Sequence, residues 1–75
     1  MIQFAEIQVT NNGKGDIVVF IEPWADSFVL LVGESSKIQA TSDTGVPWFN
    51  VIYSDCGLQV YVENADSFST PATLL

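Results

Sequence analysis

The chain has 75 residues, 48% of them hydrophobic, and its nine acids face two lysines with no arginine or histidine, for a net charge of −7. That balance excludes the phosphate-neutralising surface of a nucleic-acid binder and opposes docking on anionic membranes. The length suits a single domain, residues 1–75, with a thin core, since so small a chain buries only about 60% of its unfolded surface.

The apolar residues fall in short runs rich in Val, Ile, Phe, Tyr and Trp, broken by Gly, Asn, Asp, Ser and Pro, which is the punctuation of strands rather than helices. A first strand is predicted at about Gln3 to Thr10 and a second at about Asp16 to Glu22. Asn11-Asn12-Gly13-Lys14-Gly15 between them reads as a tight hairpin turn, because Asn-Gly tolerates positive φ. Ile17 to Ile21 is apolar on both faces, as a central strand would be. Pro23 has no N–H to donate, so the ladder is expected to stop or bulge at Glu22-Pro23-Trp24-Ala25-Asp26. A third strand is expected at Phe28 to Val32, a turn at Gly33-Glu34-Ser35 and a fourth strand at Ser36 to Ala40.

Ser42 to Pro47 is a loop by composition, and Trp48 to Tyr53 is a fifth strand with partial alternation. Ser54-Asp55-Cys56-Gly57 fits a type I hairpin turn ending on glycine. Leu58 to Glu63 alternates cleanly, with Leu58, Val60 and Val62 on one face and Gln59, Tyr61 and Glu63 on the other. Residues 65–75 are expected to hold a closing strand or tail. Phe68 is expected to start it, Pro71 to limit it, and Leu74-Leu75 to dock or fray. Six to seven short strands without significant helix predict an all-β fold: a small antiparallel β-sandwich or a partly open barrel, jelly-roll or cupredoxin-like in style.

Exclusions dominate the chemistry. Without histidine there is no imidazole base, no Ser-His-Asp or Cys-His pair and no imidazole metal ligand. One cysteine, Cys56, makes neither an intrachain disulfide nor a thiolate zinc site. No glycine pattern for phosphate binding is present. No cofactor, metal or catalytic residue is therefore assigned. The acids are scattered singly, as on a solvated surface, although two of them could form a carboxylate pair of the hydrolase kind.

Two Pro-Trp pairs stand at strand boundaries, Pro23-Trp24 and Pro47-Trp48. A tryptophan there can plug the end of a thin sandwich or, if exposed among polar groups, bind a ligand or partner. Glu22, Trp24, Asp26 and Trp48 are the candidate ligand-binding residues on the second reading.

Ile17 to Glu22 running into Pro23-Trp24-Ala25-Asp26, then Phe28 to Val32, Gly33-Glu34-Ser35 and Ile38-Gln39-Ala40, resembles a group of short bacterial all-β proteins without established activity. Val51-Ile52-Tyr53, Asp55 and Gly57 to Tyr61 are similar to that group's second hairpin. The resemblance implies a compact β-domain and no catalytic residues. It departs at Ala25, where the group usually has glycine, at Val32, where proline often stands, and at Ser69-Thr70-Pro71, which interrupts the closing strand.

The functional expectation is a non-enzymatic module that binds a protein partner, itself as a homodimer or higher oligomer being the first candidate, and neither nucleic acid nor membrane. The alternative is a small-ligand or carbohydrate module centred on Trp24 with Glu22 and Asp26, and a carboxylate hydrolase comes third. The start of the chain lacks the basic and apolar regions of a signal peptide, and with a free thiol this points to the cytoplasm of a prokaryote-like cell.

Overall fold

The computed structural model describes residues 1–70. Seven strands follow in order: β1 (Gln3–Thr10), β2 (Ile17–Glu22), β3 (Asp26–Leu30), β4 (Ser35–Ser42), β5 (Trp48–Ser54), β6 (Gly57–Glu63) and β7 (Ser67–Ser69). They make a three-stranded sheet of order β1-β4-β7 and a four-stranded sheet of order β3-β2-β6-β5. The two stack as a β-sandwich and do not close into a barrel. No described segment is a helix, and so none is a helix long and apolar enough to cross a membrane. The expectations for Pro71, Leu74 and Leu75 lie outside the described residues.

Period-two alternation builds the core. Val9 of β1, Val19 and Ile21 of β2, Leu30 of β3, Ile38 and Ala40 of β4, and Val60 and Val62 of β6 are buried between the sheets. Ile7, Ile17, Phe28, Phe49, Leu58, Ala65 and Phe68 pack around them. Each fully buried aliphatic side chain contributes about 1.5–3 kcal/mol, the driving force such a small sandwich depends on.

The connections depart from the sequence reading in one place. Asn11 to Gly15 is not a hairpin turn, because β1 and β2 lie in different sheets. The segment crosses the sandwich, and neither Gly13 nor Gly15 takes a positive φ. The physical reason is Asn11. Its side chain is buried and bonds across the gap, Nδ2 donating to the carbonyls of Leu30 (2.9 Å) and Gly15 (3.0 Å) while Oδ1 accepts from Gly13 N (2.9 Å). Its backbone closes on the β3–β4 connection as well, Asn11 N donating to Glu34 O and Gly33 N to Asn11 O. Asp16 adds an acceptor for Val32 N, and Glu34 one for Leu31 N.

The opposite end is tied in the same manner. Asp66 accepts from Asp43 N at 2.8 Å, Asn64 donates to Val46 O at 3.1 Å, and Ser42 Oγ accepts from Thr44 N and Gly45 N. Two crossings at each end of the sandwich are thus held by side-chain-to-backbone bonds, and several of the scattered acids serve here as backbone acceptors.

Among the described residues every pairing is antiparallel except one. β2 runs parallel to β6, with Val19 beside Leu58 and Glu22 beside Tyr61. This seam joins two antiparallel hairpins, β2–β3 and β5–β6. The second hairpin has the turn expected at Ser54 to Gly57. Gly57 has φ +133° there, and a Cβ on it would strike the carbonyl oxygen of Val18. Only glycine lets the start of β6 lie this close to β2. The third strand begins two residues earlier than its apolar run, at Asp26, because Ala25 takes a left-handed φ of 57° that completes the turn at once.

Candidate functional site

Glu22, Trp24, Asp26 and Trp48 all lie at the end of the sandwich that carries the β2–β3 turn, the β4–β5 crossing and the β6–β7 crossing. They do not converge on one point. Glu22 sits beside Tyr61 on the outer face of the four-stranded sheet. Asp26 pairs with Ile21, whose side chain points into the core, so Asp26 lies on that same core-facing side, exposed at the sheet edge. Its Oδ1 accepts from Ser27 N at 2.9 Å.

Trp24 follows the cis peptide Glu22–Pro23 and packs on Phe68, with ring centroids 4.7 Å apart and planes 44° apart. Phe68 pairs with Ala40 on the core side of β7. Trp24 therefore lies over the open end of the core, yet keeps 37% of its surface exposed.

Trp48 is 55% exposed and opposes Glu63 on the outer face. Asn50 and Tyr61 form the next pair along that face, and Tyr61 is in turn beside Glu22. The outer face thus joins Trp48, Glu63, Tyr61 and Glu22, while Trp24 and Asp26 belong to the end and edge. The pattern in the sequence pointed to Glu22, Trp24 and Asp26 as a local group, and the strand alternation separates them.

The same register reveals a surface that the local motif did not single out. Val18 and Phe20 of β2, Val29 of β3, Tyr61 of β6, and Trp48 and Ile52 of β5 all point away from the core on the four-stranded sheet. Val29 and Ile52 are exposed, and Val18, Phe20 and Tyr61 are half-buried by their neighbours. The signal was present in Ile17 to Ile21, whose apolarity on both faces requires that one face be apolar outside the core as well.

Chemically this is a flat, largely apolar surface with carboxylates at one end. Among the described residues there is no enclosed pocket and no cluster of three or more His, Cys, Asp or Glu side chains. Cys56 is exposed at the tip of the β5–β6 hairpin. Such a surface can bind by excluding water from aromatic and branched side chains, with Glu22 and Glu63 at its rim setting charge preference. Comparison with protein-family models, with curated proteins and with solved structures found no match to this chain.

Proposed function

We propose that the chain is a non-enzymatic protein-interaction module that associates through its four-stranded sheet, with a second copy of itself as the first partner. The observation that carries this is the outer face just described, which has an apolar or aromatic side chain on each of its four strands. A contiguous apolar surface on a small domain marks an interaction site more often than solvent-facing filler. Small domains also gain by association the burial that their own core cannot supply. A reducing, cytoplasmic setting fits the exposed thiol of Cys56. Light scattering on eluting peaks from micromolar to millimolar concentration tests the reading: mass should rise to that of a dimer or beyond, and a monomer throughout would remove self-association.

A second reading keeps a small ligand, of carbohydrate character, at the end that holds both tryptophans. It is favoured by the exposure of Trp48 next to Tyr61, Glu63 and Glu22. Tryptophan fluorescence titrated against a glycan panel should then respond, and the response should disappear in Trp48→Ala.

A further inference from the structure

We infer that two copies of the chain pair antiparallel along the free edge of β5, joining their four-stranded sheets into one of eight strands. This rests on the self-association reading above and places the contact at the edge of that sheet, beside its outer face. β5 ends the order β3-β2-β6-β5, and among the described residues only β6 pairs with it.

The other sheet edges are guarded. β7 has three residues, β3 is short and begins on Asp26, and β1 carries Glu6 at its middle. Short length and charge are how proteins keep such edges from pairing. β5 has neither protection. Its seven residues, Trp48 to Ser54, contain no charge and no proline.

β5 also lacks cover. Phe49, Val51 and Tyr53 share the core-facing side, but only Phe49 packs on the core. Val51 is 47% and Tyr53 81% exposed, because the three-stranded sheet does not extend beneath them. A strand of apolar residues therefore projects beyond the sandwich on one side and offers an unpaired backbone along its edge.

The sequence of β5 is complementary to itself. About a two-fold axis at Val51, Val51 faces Val51 of the second copy, Phe49 faces Tyr53 and Asn50 faces Ile52. The first two pairs lie on the core-facing side, so pairing continues each apolar layer past the end of its own small sheet. Aromatic and branched cross-strand pairs of this kind stabilise a ladder. Charge points to the same edge. Each chain carries −7, so contacts that set carboxylates against one another are penalised, and this pairing sets none. Asp55, just past the strand, falls opposite Pro47, whose missing N–H ends the ladder.

The test is cross-linking in the full chain with Cys56→Ser as background. Val51→Cys sets two cysteines across the axis with their Cα atoms about 4.5–5.5 Å apart, within disulfide reach. Under oxidised glutathione it should convert mostly to covalent dimer, several-fold more than Val29→Cys on the β3 edge. Val51→Lys should yield a monomer by light scattering with an unchanged circular dichroism spectrum. If the unmodified chain is a dimer but Val51→Cys cross-links no better than Val29→Cys, the β5 assignment is overturned while self-association stands. A monomeric chain that does not cross-link at either position overturns both. Cross-linking that appears only after removal of residues 71–75 would make the chain's own tail the occupant of this edge and overturn the pairing of copies.

Discussion

The two sheets of the sandwich present opposite kinds of outer surface. On the three-stranded sheet the outward positions are Ser, Thr, Gln, Glu and Lys, with Phe4 the one apolar exception among the strand residues. They are bonded to one another: Thr10 to Ser35 at 2.6 Å, Thr41 to Ser67 at 2.7 Å, and Glu6 to both Gln39 and Lys37. On the four-stranded sheet the outward positions include Val18, Phe20, Val29, Trp48, Ile52 and Tyr61. Both sheets contribute apolar side chains to the shared core, so burial within the chain does not account for the contrast. One outer face is satisfied by its own cross-strand bonds and by water. The other holds apolar surface whose burial would still be favourable at about 25 cal/mol per Å².

The comparison can be broken most severely at Gly57. Gly57→Ala drives a methyl group into the Val18 carbonyl at a backbone conformation that side chains rarely adopt. It should cost about 3 kcal/mol or more by chemical denaturation and dismantle the four-stranded sheet at its seam, abolishing association along with it. A variant that retains full stability would contradict the close approach of β6 to β2.

Asn11→Ala comes next, because it cuts the tie between the sheets without touching either outer face. Three backbone partners, Gly13 N, Gly15 O and Leu30 O, lose their bonds. The expected loss is about 2 kcal/mol, read in urea unfolding, with association by the folded protein unchanged.

The smallest effects sharpen the contrast directly. Thr41→Val deletes the bond to Ser67 and should cost about 1 kcal/mol while leaving the mass in solution as it was. Ile52→Lys should do the reverse: a stability change within about 0.5 kcal/mol, but a shift toward monomer. If the Thr41 variant dissociates and the Ile52 variant does not, the roles of the two faces have been assigned backwards.

Much of the fold was legible in the sequence, for identifiable reasons. β1 matches its expected bounds, and β5 and β6 differ from theirs by one residue at one end each, because alternation and glycine turns are local signals. The central position expected for β2 follows from its apolar character on both faces and is the position it occupies. The segment after β1 was misread because Asn-Gly chemistry suits a hairpin and a crossing equally well. The deciding contact, Asn11 to the Leu30 carbonyl, joins residues far apart in sequence. The parallel pairing of β2 and β6 left no local trace for the same reason. In the candidate site, the placement of Trp24 and Trp48 at strand boundaries was legible from the Pro-Trp pairs, whereas their sharing one end of the sandwich was not. Which face each residue takes was not, because it depends on register with strands elsewhere in the chain.

The parallel seam between β2 and β6 also imposes an order on folding. The two antiparallel hairpins it joins can each close locally, on the microsecond scale. The seam itself brings Val19 to Leu58 across the whole β3–β4–β5 segment, and such non-local pairing is what slows β-rich chains. Until it forms, the doubly apolar β2 and its partner β6 each leave one edge open, beside the uncharged free edge of β5. During refolding at high concentration, intermolecular pairing then competes with completion of the sheet, so yield should fall with protein concentration.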